Sequence, residues 1–199
     1  MHPGINGPKF KDKPALIMAG SGDVITHQEL NELSNQGAQL FRSLGLKPGD
    51  SLAFMMENHK LFFPIAFAAY RSGLKYTAIS WRLQASEVEY IVKDCGAKVF
   101  ITSKFLEESA KDLSSSLEGV NKFMLDGESG DFLSYEDAIR NMPNTPIEDE
   151  CQGASMLYSS GTTGKPKGVS REIKISPLPY TPDEELSLIH ISEPTRRTP

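Results

Sequence analysis

Cysteine is scarce in this chain. Only two cysteines occur among its 199 residues, Cys95 and Cys151, and they stand far apart. No histidine or further cysteine accompanies either of them at the spacing that zinc sites use. Lone thiols of this kind are typical of proteins in a reducing compartment, where disulfides do not persist. The sequence therefore argues against a disulfide-stapled fold and against a zinc site, and it predicts a cytoplasmic protein.

An excess of positive charge and a long apolar run are also missing. Lysine and arginine number 21 against 26 aspartates and glutamates, which gives a net charge of −5. This balance argues against nucleic acid as a partner. The most apolar stretch, Leu61 to Tyr70, contains Pro64 and is too short to span a bilayer. The first residues lack the apolar core of a signal peptide. We expect no transmembrane segment, which leaves peripheral contact with a membrane open.

Short apolar runs alternate with amphipathic segments through the middle of the chain. The length of the chain is sufficient for one domain with a sizeable core. Strand-like runs fall at 51–56, 76–80, 98–102, 122–125 and 156–158. Helix-like segments separate the first four runs. Alternation of this kind predicts an α/β fold with a mostly parallel sheet flanked by helices.

Capping signals predict where several helices begin. Thr26 and Glu29 form a capping box at the start of a helix, and Ser86 and Glu89 are spaced in the same way. Asn58 is positioned to cap a helix that extends through Ser72. Prolines and glycines in residues 1–15 predict an extended leader, and prolines and acidic residues in 143–153 predict a connecting loop.

Residues 155–169 carry the strongest chemical signal in the sequence. A strand-like run ends at Tyr158, six small residues follow, and Lys165 and Lys167 flank Pro166. Glycines let the backbone approach a ligand closely and point N–H groups at it. Hydroxyls add hydrogen-bond donors, and lysines add compact positive charge for phosphates. The stretch does not have Walker A spacing. It predicts a polyphosphate-binding loop, and the alternative is a hairpin rich in small residues with solvated lysines.

At these residues the chain resembles the AMP-forming adenylating enzymes. The string Tyr-Ser-Ser-Gly-Thr-Thr-Gly-Lys-Pro-Lys-Gly-Val, residues 158–169, is similar to their phosphate-binding motif. Members of that superfamily include acyl- and aryl-CoA synthetases, firefly-type luciferases and the adenylation domains of peptide synthetases. Residues 47–50, 73–80 and 89–98 also resemble the opening of the large N-terminal domain of bacterial acyl-CoA synthetases. The resemblance covers most of residues 1–171.

The resemblance implies a two-step ligase that uses ATP, Mg²⁺ and coenzyme A. A small carboxylic acid, expected to be a fatty acid, would form an acyl-adenylate and pyrophosphate, and coenzyme A would then displace AMP. The phosphates of ATP would be bound by nine residues of the motif. These are Ser159, Ser160, Gly161, Thr162, Thr163, Gly164, Lys165, Lys167 and Gly168.

Ser159 is the candidate magnesium contact that the resemblance implies. Threonine is common at this position of the family, and serine keeps the oxygen but lacks the methyl group that restricts the threonine rotamer. The glutamate that helps to hold Mg²⁺ in the family and its C-terminal catalytic lysine have no counterpart in these 199 residues, so the catalytic residues stay unknown. We expect residues 1–185 to be the first part of an adenylation domain, and this chain by itself to be inactive.

The last residues depart from the family pattern. Residues 186–196 resemble the translation of a transposon-end adapter used in DNA sequencing libraries, and the interpretation is that 186–199 form a non-native tail. The competing interpretation is a short amphipathic strand with Leu186 and Leu188 on one face.

Three functional hypotheses stay open. The parent protein is an acyl-CoA synthetase, or it is an aryl-CoA ligase or peptide-synthetase adenylation domain, or the chain is a non-catalytic phosphate-binding module complete in itself. The stretch from Gly73 to Ser80 favours the first of these, because it most resembles the acyl-CoA synthetase branch.

Overall fold

The computed structural model describes residues 2–159 and 167–170. Its helices are α1 (Pro3–Phe10), α2 (His27–Ser43), α3 (Phe62–Arg71), α4 (Ala85–Asp94), α5 (Glu107–Ser114) and α6 (Tyr135–Arg140), with a 3₁₀ turn at Lys104–Leu106. Its strands are β1 (Pro14–Ile17), β2 (Val24–Thr26), β3 (Ser51–Met55), β4 (Lys75–Ile79), β5 (Ala97–Ser103), β6 (Asn121–Leu125), β7 (Leu133–Ser134), β8 (Ala154–Ser159) and β9 (Lys167–Ser170).

The main sheet is mostly parallel, as the alternation of strand-like and helix-like segments predicts. Within the described residues its strands lie in the order β7-β6-β5-β3-β4-β8-β9. Neighbours from β7 to β8 run parallel, and β9 pairs with β8 in the antiparallel direction. Strands β1 and β2 form a separate antiparallel pair. The parallel strands therefore place their carboxyl ends at one edge of the sheet, the edge at which open α/β sheets bind ligands.

Strand β3 lies at the centre of the sheet, and its side chains contribute to the apolar cores on both faces of the sheet. All five of its residues are buried. Leu52 and Phe54 pack into a core with residues of α2, α3 and α6, whereas Ala53 and Met55 pack into a second core with residues of α4 and α5. Successive strand side chains point to opposite faces, so a strand covered on both sides is a continuous apolar run.

The predicted extended leader is wrong, because residues 3–10 form α1. His2 caps this helix, since its Nδ1 accepts a hydrogen bond from the Gly4 amide at 3.1 Å. Pro3 occupies the first turn, where a missing N–H costs nothing. A Cβ atom at Gly7 would lie 2.9 Å from the Cβ of Asn31, so this glycine allows α1 to pack closely on α2. Here proline and glycine support a helix.

The capping predictions have mixed outcomes. The Thr26–Glu29 box is present, with the Glu29 amide 3.2 Å from the Thr26 hydroxyl and the Thr26 amide 2.8 Å from the Glu29 carboxylate. The predicted box at Ser86 is wrong by two residues. Helix α4 begins after Gln84, whose backbone amide donates a hydrogen bond to the Glu87 carboxylate at 3.0 Å.

The Asn58 cap is also wrong, since α3 begins only at Phe62. The side chain that serves the preceding turn is His59, whose Nδ1 accepts a hydrogen bond from the Leu61 amide at 3.1 Å. Helix α3 is buried against α2, where a Cβ at Gly37 would lie 2.7 Å from that of Ala68. Over residues 2–159 and 167–170, no helix combines the length and the apolar character needed to cross a membrane.

Candidate active site

Strand β8 leads into the predicted phosphate-binding stretch at the carboxyl edge of the sheet. It lies beside β4, and their parallel pairing joins Lys75 to Ala154 and Tyr76 to Ser155. The residues that follow, Met156 to Ser159, pair with β9 instead. The first two residues of β8 therefore pair with β4, and its last four form a hairpin with β9.

The segment before β8 is fixed to the C-terminal end of α3. The amides of Cys151 and Gly153 donate to the carbonyls of Arg71 at 3.1 Å and Tyr70 at 2.6 Å, and the Ala154 amide donates to Leu74 at 3.0 Å. A Cβ at Gly153 would stand 2.4 Å from the Leu74 carbonyl oxygen, so only glycine permits this approach. These contacts set the position and direction in which β8 joins the sheet.

The antiparallel register brings two of the predicted phosphate-binding residues opposite each other. Ser159 pairs with Lys167, Tyr158 with Gly168 and Leu157 with Val169. Lys167 is exposed. The chain therefore leaves the sheet at Ser159 and returns directly beside it, with a lysine at the point of return. This placement suits a stretch that surrounds an anion.

One face of the hairpin packs against the core and the other is exposed. Met156 and Tyr158 pack on the α4–α5 core. A Cβ at Gly168 would stand 2.5 Å from the Met156 Cε atom and 2.9 Å from the Tyr158 ring, so this glycine makes room for both side chains. On the opposite face, Leu157 and Val169 are 64% and 63% exposed.

Tyr158 also makes a hydrogen bond across the fold. Its hydroxyl lies 2.5 Å from Oδ2 of Asp94, the last residue of α4. Burial raises the pKa of Tyr158 well above its ordinary value, and the Asp94 carboxylate raises it further. The hydroxyl therefore stays protonated and donates to the carboxylate.

Six of the nine predicted phosphate-binding residues lie outside the described residues. They are Ser160, Gly161, Thr162, Thr163, Gly164 and Lys165. Of the remaining three, Lys167 and Gly168 are described in full, and Ser159 is placed by its backbone in β8. The structure thus brings the two ends of the motif together. The predicted tail, 186–199, and the alternative strand with Leu186 and Leu188 also lie outside the described part.

The structure adds residues at the same edge that sequence reasoning did not bring together. Arg82 follows β4, and its guanidinium lies 5.2 Å from the Trp81 ring centroid. Trp81 in turn meets Phe105 edge to face at 6.0 Å, and both rings are substantially exposed. From the sequence alone, an arginine directly after a strand is interpreted as a surface residue, and the alternative is contact with a substrate anion. The signal for the group is positional, because Trp81 and Phe105 each come within two residues of the end of a strand.

The two thiols are not in the reactive form. Cys95 and Cys151 are free and buried, and burial raises the pKa of each thiol. Thiolate is the nucleophilic form of cysteine, so neither is suited to nucleophilic catalysis at neutral pH.

The donor set also limits how magnesium could be held. Throughout the described ranges, no group of three or more histidine, cysteine, aspartate or glutamate side chains could hold a metal ion. Mg²⁺ that accompanies a nucleotide needs only one or two protein oxygens, because phosphates and waters supply the rest. Mg²⁺ that arrives with a polyphosphate would therefore need no dedicated cluster of protein ligands.

Comparison with known proteins decides the family. The sequence profile of the AMP-binding enzyme family matches residues 6–174. The chain belongs to the AMP-binding enzyme family. This result confirms the resemblance, and the hairpin of β8 and β9 lies inside the matched region.

Relatives in the AMP-binding family differ in their substrates. Over 164 residues the chain is 27% identical to the fatty acid–[acyl-carrier-protein] ligase ScoC of Streptomyces coeruleorubidus, covering 78% of this chain and 29% of that protein. It is 31% identical over 166 residues to the oxalate–CoA ligase of Arabidopsis thaliana, covering 81% and 32%. The chain thus spans about a third of the length of these relatives.

Solved structures agree with the fold. The crystal structure of the anthranilate CoA ligase AuaEII in complex with anthranoyl-AMP is similar with a TM-score of 0.71 and 25% identity, covering 84% of this chain and 32% of that one. The main sheet of the present chain is therefore the first part of the N-terminal domain found in such AMP-binding ligases.

Proposed function

We propose that this chain is the N-terminal part of an ATP-dependent acyl-CoA synthetase. The observation that carries the proposal is the hairpin at the carboxyl edge of the sheet, in which Ser159 and Lys167 face each other across the predicted phosphate-binding stretch. Membership of the AMP-binding family supports it. The named relatives act on fatty acids and on oxalate, which supports a small carboxylic acid as the substrate.

The reaction that we propose for the parent enzyme has two steps. A carboxylate oxygen attacks the α-phosphorus of ATP, the bond to the bridging oxygen of the β-phosphate breaks, and pyrophosphate leaves. The thiol sulfur of coenzyme A then attacks the acyl carbon, the bond to the AMP oxygen breaks, and the thiol proton passes to solvent. The first step needs its developing negative charge stabilised on the leaving pyrophosphate.

The residues of this chain would supply that stabilisation. Lys167, exposed at the hairpin end, would contact the β- and γ-phosphates, and the small residues 160–164 would offer backbone amides and hydroxyls. Magnesium bound to the nucleotide, with Ser159 as its proposed protein contact, would neutralise further phosphate charge. Gly168 would leave room for the Tyr158 ring beside Lys167.

A binding experiment tests the first part of the proposal. Calorimetric titration of the 199-residue chain with magnesium ATP and with magnesium pyrophosphate should give saturable binding. The Lys167→Ala variant should bind both ligands at least fivefold more weakly, and Lys11→Ala, which removes an exposed lysine in another part of the fold, should match the unaltered chain. Absence of binding, or equal weakening by both substitutions, would contradict the proposal.

The second test concerns activity. We expect no carboxylate-dependent exchange of pyrophosphate into ATP by the 199-residue chain, because it spans only about a third of its relatives. Exchange should occur with the protein encoded by the contiguous reading frame of the source gene, if that frame continues into the missing motifs. A panel of fatty, aryl and amino acids then separates the acyl-CoA synthetase from an aryl-CoA ligase or a peptide-synthetase adenylation domain.

A further inference from the structure

The hairpin that carries Lys167 has little support from the sheet. The parallel pairing of β8 with β4 covers Ala154 and Ser155, and the four residues that follow pair with β9. Met156 and Tyr158 hold this part through their side chains, which pack on the α4–α5 core. The apolar side chains on the other face, Leu157 and Val169, are mostly exposed.

A side-chain hydrogen bond links the end of this hairpin to a helix. It joins the Tyr158 hydroxyl to Asp94 at the end of α4, at 2.5 Å. Tyr158 precedes Ser159 in sequence and lies opposite Gly168 in the hairpin, so it adjoins both ends of the predicted phosphate-binding stretch.

We propose that Tyr158 and Asp94 form a positioning pair that fixes Ser159 and Lys167 in the orientation required to bind the phosphates of ATP. This inference rests on the proposed function and adds two residues to it. Neither residue touches the ligand. The ring of Tyr158 rests on Gly168, and the hydroxyl ties that ring to α4, so the backbone of both strands is held at the hairpin end.

Gly168 leaves space for the Tyr158 ring. A Cβ there would stand 2.9 Å from the Tyr158 ring and 3.0 Å from its hydroxyl oxygen. A side chain at position 168 would force the Tyr158 ring and the Met156 side chain to shift. The glycine therefore favours the positioning pair and is also a member of the predicted motif.

The experiment compares two tyrosine-to-phenylalanine substitutions in the 199-residue chain. Tyr158→Phe keeps the ring and removes the hydroxyl. Tyr135→Phe is the matched control, because the Tyr135 hydroxyl is buried in the other core without a hydrogen-bond partner among the described residues. Asp94→Asn is the second test variant, since its amide oxygen still accepts a hydrogen bond.

Two measurements are made on each variant, together with a thermal melt. Hydrogen exchange should be at least fivefold faster in the hairpin amides of Tyr158→Phe, and the Kd for magnesium ATP should rise at least fivefold, with an unchanged melting midpoint. Asp94→Asn should change both quantities less, and Tyr135→Phe should leave both within twofold. A purely structural role would lower the melting midpoint and leave the Kd unaltered.

The inference and the proposed function can fail separately. If Tyr158→Phe leaves both hairpin exchange and the Kd unchanged, the positioning pair is refuted. If the unaltered chain binds no ATP, the proposed function is wrong, and hairpin exchange alone decides whether the hydroxyl ties the hairpin to α4. If Tyr158→Phe fails to fold, Asp94→Asn takes its place, and equality with the unaltered chain in both measurements would overturn the inference.

Discussion

Arg71, buried at the end of α3, anchors the segment that precedes β8. Arg71 has no exposed surface, and its Nε donates to Glu150 at 2.5 Å, a carboxylate whose side chain is only 9% exposed. Its Nη1 donates to the Ser34 hydroxyl at 2.8 Å and to the Asn31 carbonyl at 3.2 Å. The side chain therefore joins α3, α2 and the segment before β8.

We predict that Arg71→Ala lowers the free energy of unfolding by about 3–5 kcal/mol, because it removes one partner of a buried ion pair and leaves the other charge buried. Folded domains of this size are stable by only about 5–15 kcal/mol, so the loss is a large fraction of the total. Urea unfolding followed by circular dichroism, with linear extrapolation to water, measures it.

Two further variants make the result specific. Arg71→Met combined with Glu150→Met removes both charges and should cost at least about 2 kcal/mol less than Arg71→Ala alone. Arg140→Ala removes an exposed ion pair with Asp137 and should cost no more than about 1 kcal/mol. The reasoning would be refuted if the free energy of unfolding of Arg71→Ala lay within about 1 kcal/mol of that of the unaltered chain, with the same dependence on urea concentration.

Three more predictions follow from buried and exposed groups. Burial and the nearby Arg71 lower the pKa of His2 from 6.5 to about 3, so the unfolded chain binds a proton that the folded chain does not. Stability should therefore fall as pH drops from about 6.5 toward 3, by at most about 1.4 kcal/mol per pH unit, and His2→Asn should reduce this loss in urea titrations. Gly168→Ala should speed hydrogen exchange in the hairpin, and unchanged exchange would contradict the close approach to Tyr158. Leu157→Thr with Val169→Thr should reduce self-association in sedimentation runs, because these side chains are 64% and 63% exposed beside a strand edge.

The sheet was predictable because its signal is local and strong. The run from Leu52 to Met55 is apolar without alternation, as a strand buried on both faces requires, and Thr26 with Glu29 marks a helix start within four residues. Helix α1 was missed because its stability depends on packing against α2, whereas its prolines and glycines indicate a loop when taken alone.

The α4 cap shows a different limit. Ser86 with Glu89 has the spacing of a capping box, yet the helix begins two residues earlier, after Gln84. Glutamine is not a typical first residue of a capping box, so local pattern did not indicate this start.

Part of the candidate site was also predictable from local sequence, and part was not. The order of residues in the motif predicted a strand before the phosphate-binding stretch, and Lys167 and Gly168 do follow it in a second strand. The hydrogen bond from Tyr158 to Asp94 could not be predicted, because 64 residues separate its partners and no local spacing relates them. Contacts of this kind depend on how α4 and β8 are brought together by the sheet.

The pairing of β4 with β8 has a consequence for synthesis on the ribosome. Tyr76 of β4 pairs with Ser155, which leaves the ribosome 79 residues later. At about 5–20 residues per second, roughly 4–16 seconds pass with this side of β4 uncovered. Meanwhile β3, β5 and β6 can already join on the other side. The nascent chain thus displays an open strand border for that interval, and a chaperone that shields such borders would raise the yield of native protein.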